Sequence, residues 1–456
     1  MLGYKAARLK YSDQTGFDSV QRRLNSSSWR RIMSSQPFEQ VTIIAACGLL
    51  VFTACGLNFS FGVYQEHYET LDDLFQGASF GQISLIGTLA SSIMMLGAPL
   101  AHMMMRAHGV HATVVTSGVL SAVAGITASF GRTLWHFLVA QGVIQGCAAC
   151  LAYITAITVT PRVLNSRRGL AMGIVTSGTG LGGVTWAPLL RYLLTKLGFR
   201  LTLAFVGLLS AISIVFAATV LNRALESLNN TQARRDDIEN ANDKSIASSK
   251  GVQLFRSTIF LAHTLASALQ SAAYFTPLFF MSSVARSVNF SETASANIIA
   301  LCNLSNFAGK LLVGYTADRL GSLETLATST ALSAFISLGM AYTVDVKIAI
   351  ETQRKLLLVY SALYGASAGA YVALLPTTLV EQFGLDGFAK VNSVVYLCRG
   401  LGSLVGTWVA GSLVLAHLKA KVHESVDFFF SFLFVGISLS VAAALVLWPK
   451  IKTNIK

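Results

Sequence analysis

The sequence predicts an all-α membrane protein in which twelve transmembrane helices form two bundles of six. Hydrophobic residues make up 53% of the 456 residues and charged residues only 12%, about half the charged share of a soluble domain. A helix needs roughly 20 apolar residues to cross a bilayer, and the chain contains twelve such runs. A long polar stretch separates the first six runs from the last six, which predicts two halves.

Each apolar run is expected to be helical, because a backbone inside lipid must satisfy its hydrogen bonds within the segment. The predicted spans cover residues 41–64, 80–104, 110–130, 134–160, 168–192, 201–221, 256–283, 293–316, 325–344, 355–380, 388–414 and 427–448. The boundary between the second and third spans is the hardest to place, because one arginine and several histidines crowd their junction.

Polar segments frame the two bundles. We divide the chain into a cytosolic tail at 1–38, a six-helix bundle at 39–222, a cytosolic linker at 223–254, a second six-helix bundle at 255–448 and a cytosolic tail at 449–456. The first tail lacks an apolar core of signal-peptide length and is expected to be disordered. The linker is rich in Asn, Ser, Asp and Arg, which predicts a flexible connection.

Basic residues predict the orientation, since they are enriched in cytoplasmic loops. With both termini inside, 22 of the 34 Lys and Arg residues fall on the cytoplasmic side and 10 on the outer side. The net charge of +13 is then mainly a topology signal, and no nucleic-acid partner is expected. We predict a monomeric multi-pass protein in the lipid bilayer of the plasma membrane rather than the vacuole, with Asn289 of an Asn-Phe-Ser sequon glycosylated outside.

The segment Gly-Tyr-Thr-Ala-Asp-Arg-Leu-Gly at 314–321 lies between the eighth and ninth spans. The glycines at its two ends allow close packing and a sharp turn. The carboxylate of Asp318 can face a helix N-terminus or a basic partner. We therefore predict gating residues in this turn, namely Gly314, Asp318, Arg319 and Gly321; an ordinary charged loop is the alternative.

The two halves look related by duplication. One offset places Gly97 on Gly309 and Gly109 on Gly321, and a similar offset places Gly178 on Gly400 and Gly180 on Gly402. Internal repeats of this kind favour two bundles that rock about a central site. Pairs such as Gly178 and Gly182 let helix backbones approach closely, and we include them with Arg168 among the gating residues.

Three further motifs complete a resemblance to a known family. The first span ends Asn58-Phe-Ser-Phe-Gly62-Val-Tyr64, the fifth opens Arg167-Arg168-Gly169-Leu-Ala171-Met-Gly173, and the eighth contains Asn303-Leu-Ser-Asn306-Phe-Ala-Gly309-Lys310. With the Gly-x-x-x-Asp-Arg-x-Gly turn, the chain from about residue 40 resembles the major facilitator superfamily, in particular its fungal monocarboxylate-porter-like branch. The resemblance implies the major facilitator fold and a cytoplasmic location for the Asp-Arg turn.

Some positions depart from that branch, which usually has Arg where Lys310 stands. Animal monocarboxylate carriers have an acidic residue where Asn306 stands and use an Asp-Arg pair to couple a proton to a carboxylate. These departures argue against lactate-type transport. Relatives in the fungal branch are linked to riboflavin uptake, and others to the export of secondary metabolites.

Two basic residues lie within spans, where a charge is costly and marks a functional candidate. Lys310 follows Asn306 by one helical turn, so the two share a face. A lysine there can bind a carboxylate or a phenolate; the alternative is that it snorkels to the interface. Arg399 lies near the middle of the eleventh span and serves either an anionic substrate or a structural pair. With no Asp or Glu in mid-span, the predicted central cavity is positive and prefers anions.

Other polar residues are weaker candidates. Asn58, Tyr64 and Tyr274 offer hydrogen-bonding groups to a cavity, although packing is the alternative for each. His102, His136 and His263 are candidates for proton relay, because imidazole changes charge near neutral pH.

We therefore predict a secondary active or facilitative transporter that moves a small organic anion, monocarboxylate-like, or a related metabolite by alternating access, with or without protons. Two alternatives stay open: efflux of a fungal secondary metabolite, and a non-transporting membrane sensor on the same fold. The sequence contains no phosphate-binding loop, Ser-His-Asp order or metal cluster. We expect no cofactor, no metal and no enzymatic activity.

Overall fold

The structure is a computed structural model that describes residues 27–69, 80–164, 167–239, 257–345, 348–420 and 428–454. All regular secondary structure in these ranges is helical. The helices are α1 (Ser27–Phe59), α2 (Phe61–Glu69), α3 (Phe80–Leu96), α4 (Ala98–Ser129), α5 (Leu134–Phe137), α6 (Gln145–Val163), α7 (Arg168–Glu239), α8 (Thr258–Ser287), α9 (Glu292–Leu320), α10 (Ser322–Asp345), α11 (Ile350–Ala368), α12 (Ala370–Ala420) and α13 (Phe429–Asn454). A π-helical stretch, Leu138–Ile144, joins α5 to α6.

Three glycines turn the chain back within long helices. The φ angles are 83° at Gly109, 73° at Gly198 and 71° at Gly384, a conformation that glycine adopts without steric penalty. Each turn divides its helix, α4, α7 or α12, into two passes. The helices together supply all twelve predicted spans, because α1 continues into α2, α3 into α4, α5 into α6 and α11 into α12 across short irregularities.

The composition of these passes is that of a membrane protein. Nine segments of the described chain are long and apolar enough to cross a bilayer, and the shorter apolar helix Gly81–Leu96 leads directly into α4. Large apolar side chains stay exposed, among them Leu201, Phe335 and Trp408. A lipid-facing surface accounts for this exposure, since lipid is as apolar as these side chains.

Two helices extend into segments that composition assigned to irregular chain. Helix α1 begins at Ser27, inside the predicted tail, and α7 continues to Glu239, inside the predicted linker. Residues 222–239 contain many good helix formers and neither Gly nor Pro, so the helix has no local reason to stop. Residues 1–26 and 240–254 lie outside the described residues, and the predicted domain boundaries stay a prediction.

The two halves meet mainly along two helix pairs, α7 with α9 and α3 with α12, and α12 also contacts α4, α6 and α7. We call the first pair the α7–α9 seam. Gly173 lies against the backbone of Lys310 and Gly314, and Gly180 lies against the backbone of Asn303 and Phe307. Small residues let these backbones touch, so the seam is a contact between helices without bulky side chains in the way.

The glycines also test the proposed duplication. Gly109 and Gly321, which the first offset superimposes, both have left-handed φ, 83° and 100°. The second offset is wrong in detail. Gly400 faces the other half at Leu96, whereas Gly178, which this offset places on it, packs inside its own half.

Candidate functional site

A cavity of about 450 Å³ lies between the two halves, within the size range of small-molecule sites. Helices α1, α2, α3 and α7 of the first half and α8 and α9 of the second form its walls. It reaches from Glu66, Arg191 and Arg286 at one end of the bundle to Asn58, Ser91 and Asn303 near the middle. We call the side on which α2 ends the Glu66 end, and the side on which α9 ends the Asp318 end.

The mouth of the cavity carries charge from both halves. Arg191 Nη2 donates to Glu66 Oε2 at 2.8 Å, and both side chains are about half exposed, so this pair stabilises by no more than about 1 kcal/mol. Arg286, from the second half, is exposed and lines the same mouth. Two arginines and one glutamate leave the mouth with net positive charge, which attracts anions.

Aromatic rings from both halves close the inner end of the cavity. Phe59 of α1 packs against Tyr274 and Phe275 of α8, with ring centroids 6.4 Å and 6.1 Å apart. Phe59 and Phe275 line the cavity, and Tyr274 is buried behind them. We call these three residues the aromatic floor. Such pairs contribute about 0.5–1.5 kcal/mol each, which is weak enough for the halves to separate there.

Arg399 lies fully buried beyond the cavity walls. None of its three guanidinium nitrogens has a hydrogen-bond partner among the described residues. Its Cζ lies 5.3 Å from the centroid of the Tyr371 ring and 5.4 Å from that of Tyr396. The hydroxyl of Tyr396 is 3.3 Å from that of Tyr153, on α6 of the other half. The result is a cation framed by phenol rings at the junction of the two halves.

Lys310 is also fully buried, but it is bonded. Its Nζ donates to the carbonyl oxygen of Thr176 at 3.2 Å and to the hydroxyl of Thr179, both on α7 of the other half. Asn303 lines the cavity, and Lys310 follows two helical turns later, about 10 Å deeper. Lys310 therefore joins the halves beneath the cavity instead of facing it.

The other predicted substrate-binding residues are spread over three places. Asn58 borders the large cavity. Asn306 lies under the floor, where its amide donates to the Tyr274 hydroxyl at 3.3 Å and to the Gly365 carbonyl at 3.2 Å. Tyr64 lines a separate cavity of about 60 Å³ within the first half. The structure brings Asn306 and Tyr274 together and leaves Tyr64 apart from them.

Several residues at the site were absent from the sequence-based candidates, namely Ser91, Tyr153, Asn303, Tyr371 and Tyr396. Two of them carried a signal. Asn303 shares a helix face with Asn306 and Lys310, and Tyr396 precedes Arg399 by three residues, hence also on one face. Tyr153 and Tyr371 come from other helices, and nothing local in the sequence connects them with Arg399.

The Asp318 end is closed by the α7–α9 seam. Asp318 Oδ1 accepts from the backbone N–H of Gly169 at 2.7 Å, and its Oδ2 accepts from that of Leu170 at 2.9 Å. These amides belong to the first turn of α7, where N–H groups have no partner within the helix and the helix dipole favours a negative charge. Asp318 therefore caps a helix of the opposite half.

The remaining gating candidates divide into two groups. Arg168 donates from Nε to the carbonyls of Pro161 and Leu164 at 3.1 and 3.0 Å, and Arg319 stacks on the Tyr315 ring at 4.5 Å. Gly314 touches the backbone of α7, and Gly321 ends α9 with φ 100°. In contrast, Gly178 and Gly182 face α1 within their own half. The seam-facing glycines of α7 are Gly169, Gly173, Gly180 and Gly183.

Two other predicted features can be placed. Asn289 is exposed in the turn between α8 and α9, at the Glu66 end, with φ 60°. Among the described residues, no group of three or more His, Cys, Asp or Glu side chains is arranged to hold a metal ion.

A helical membrane bundle in two halves, with a cavity between them and one end sealed, has the architecture of a membrane transporter. The family model for the Major Facilitator Superfamily matches residues 41–407 and 264–454. The chain belongs to this superfamily.

Relatives and solved structures agree with this assignment. The chain is 26% identical to the MFS-type transporter pynF of Aspergillus niger, over 90% of this chain and 89% of that protein. It is 24% identical to monocarboxylate transporter 11 of Mus musculus, over 78% of each. The proton:xylose symporter XylE has the same fold, with a TM-score of 0.67 at 16% identity, over 91% of this chain and 96% of that one.

Proposed function

We propose that this transporter carries an organic anion by alternating access, with Arg399 as its anion-binding group. The observation that supports this most is the fully buried guanidinium without a hydrogen-bond partner among the described residues. The buried ionisable side chains described include the cations Lys310 and Arg399 and no carboxylate. An unpaired buried charge costs several kcal/mol, so a carboxylate or phenolate that reaches Arg399 is stabilised by removing that cost.

The route to Arg399 passes through the aromatic floor. An anion enters at the Glu66 end, past Arg286, and meets Phe59 and Phe275 before any buried cation. Because Arg399 does not line the cavity, the floor must part before the substrate reaches it. Phe59 belongs to one half and Tyr274 to the other, so their separation couples substrate entry to relative movement of the halves.

To release the substrate on the opposite side of the membrane, the closed Asp318 end has to open. Lys310 and Asp318 both bond from α9 to α7, and these contacts must break for the Asp318 end to open. The distribution of Lys and Arg supports the proposal that the Asp318 end and both termini face the cytosol, so that the observed state is outward-open. We propose the plasma membrane as its location.

Export of a bulkier metabolite is the second candidate. The cavity of about 450 Å³ has room for a drug-sized ligand, more than a short-chain monocarboxylate fills. Uptake and export use the same site, and the direction follows from gradients and from the affinities of the two states.

A ligand screen on the purified full-length chain tests this proposal. Organic acids of increasing size are added together with their matched amides, and thermal unfolding is followed, because a ligand that binds the folded state raises Tm. Acids should raise Tm in a concentration-dependent way and their amides should not. The size of the best acid separates a small monocarboxylate from a bulky metabolite. A response confined to neutral or cationic compounds would contradict the proposal.

A further inference from the structure

A second set of unpartnered polar groups lies in the second half, away from the α7–α9 seam. His263 and Gln270 on α8 and Asn392 on α12 are at most 1% exposed. None of their side-chain nitrogen or oxygen atoms has a hydrogen-bond partner among the described residues. Buried polar atoms in proteins are nearly always bonded, to the protein or to ordered water. These three side chains therefore need partners that the described protein atoms do not supply.

His263 shares a face of α8 with a residue that contacts the surroundings of Arg399. Ser267, one turn after His263 on α8, shares a hydrogen bond with the Tyr371 hydroxyl at 3.0 Å. The ring of Tyr371 in turn lies 5.3 Å from the Arg399 guanidinium. On the other side of the imidazole lies the side chain of Gln382. We call Gln382, His263, Ser267 and Tyr371 the histidine track.

Among the described side chains, the helices around the track present no buried carboxylate that would hold a proton on His263. Glu381, beside Gln382, is exposed and accepts from Ser322. The buried ionisable groups described on the packed helices, besides His263, are Tyr274 of α8, Cys302 and Lys310 of α9, Tyr360 and Tyr364 of α11, and Tyr371, Tyr396 and Arg399 of α12. Helix α13 has no ionisable residue from Phe429 to Trp448. Of these and His263, imidazole is the group that ordinarily changes charge between about pH 5 and 8.

We propose that His263 is a proton-binding site, and that the proton it takes up crosses the membrane together with the anion held at Arg399. This inference rests on the proposed anion site. The proton adds to a ring nitrogen of neutral His263 to give imidazolium. It leaves the ring when the histidine track is accessible from the opposite side of the membrane. An anion at Arg399 cancels the guanidinium charge that otherwise opposes a second positive charge nearby. By linkage, protonation of His263 in turn favours anion binding.

The proton site can be tested without a known substrate. Full-length protein labelled with ¹⁵N-histidine is reconstituted in liposomes, and its nitrogen spectrum is recorded from about pH 8 to about pH 4. The His263 signal is identified by its loss in His263→Gln. It should shift reversibly from neutral imidazole to imidazolium. A His263 signal that stays neutral over the whole range would overturn the proposal, and because the titration uses the unmodified chain, this test does not depend on how well the variant folds.

A flux measurement tests the coupling. Uptake of the best-bound acid of the screen into proteoliposomes is compared with and without an inward proton gradient. The gradient should stimulate the unmodified protein several-fold, and His263→Gln should lose that stimulation while counterflow of the acid persists. His108→Gln, at an exposed histidine to which no role is assigned, is the control and should keep the stimulation.

The outcomes separate the two proposals. Acid uptake that ignores the gradient in the unmodified protein would refute the proton site and leave the anion proposal standing. Binding and uptake of amides alone would refute the anion proposal, and the coupling with it, whatever the titration of His263.

Discussion

Lys310 and Arg399 are both fully buried cations, and their surroundings give them different roles. Lys310 donates to a carbonyl and a hydroxyl of the opposite half, so its charge is solvated by the seam. Arg399 lies against two phenol rings and has no hydrogen-bond partner among the described residues. Cation–π contacts stabilise by about 2 kcal/mol when desolvated, less than the cost of burial. The sequence marked both as substrate ligands. The structure favours Arg399 for that role and suggests a conformational role for Lys310.

The first prediction separates these roles. Lys310→Gln should change the transport of an acid and of its matched amide by similar factors, because it alters the bond between the halves and not the anion site. Hydrogen bonds to a charged group contribute about 1.5–3 kcal/mol, so we expect an effect of roughly tenfold on turnover. Lys390→Gln, at an exposed lysine near the Asp318 end, is the control. A selective loss of acid transport would indicate that Lys310 is part of the anion site.

At the scale of the element, α7 and α9 form the contact that has to open and close. The first turn of α7 is capped by Asp318 from the other half, and glycines bring the two backbones together above it. The contact thus depends on one charge and on the absence of side chains.

Asp318→Asn is expected to slow turnover more than it weakens substrate binding. The variant keeps the shape of the side chain but loses the negative charge at the N-terminus of α7, which is worth about 1 kcal/mol, or roughly a fivefold shift away from the observed state. Initial rates and binding are measured at matched surface expression, with Glu351→Gln, an exposed acid at the Glu66 end, as the control. Unchanged turnover would mean that the cap does not influence the cycle.

Gly173→Ala is expected to open the Asp318 end. An added Cβ would lie 2.5 Å from the Lys310 carbonyl oxygen, so the helices must move apart. Spin labels at Arg167→Cys and Leu320→Cys, which are exposed positions on the two halves, should report a longer distance in this variant. Gly48→Ala is the matched control, because nothing lies within 4 Å of its added Cβ. Equal distances in all three proteins would contradict the seam's role.

The sequence predicts where the helices lie along the chain, but not which of their faces meet. Long apolar runs located all twelve passes, and glycine ended several of them, because span length and left-handed turns are local properties. Which face of α7 meets which neighbour is not local. Gly178 and Gly182 form a better small-residue pair than Gly173 and Gly180 in sequence, yet they face their own half. The tyrosines around Arg399 come from separate helices and become neighbours only through the fold.

At the scale of the whole molecule, the orientation in the membrane determines which end of the bundle faces outside the cell. The cavity mouth and Asn289 both lie at the Glu66 end, and the distribution of basic residues predicts that this end faces outside. If this is correct, the protein made in a eukaryotic host should carry a glycan that Asn289→Gln removes, seen as a mobility change on glycosidase treatment. Asn297→Gln, which is also at this end but outside any sequon, is the control. An unglycosylated Asn289 together with surface labelling of residues 223–254 in intact cells would invert the orientation.

The central claim is that Arg399 makes the transporter select anions. The most direct measurement compares uptake of a matched acid and amide by the unmodified protein, Arg399→Gln and the control Arg132→Gln, an exposed arginine away from the cavity, at equal expression in proteoliposomes. Arg399→Gln should reduce the acid-to-amide ratio by about tenfold or more, since the removed interaction is a buried charge pair worth several kcal/mol, and Arg132→Gln should leave it unchanged. Equal losses for the acid and the amide in Arg399→Gln would contradict the claim and point to a neutral or lipophilic cargo.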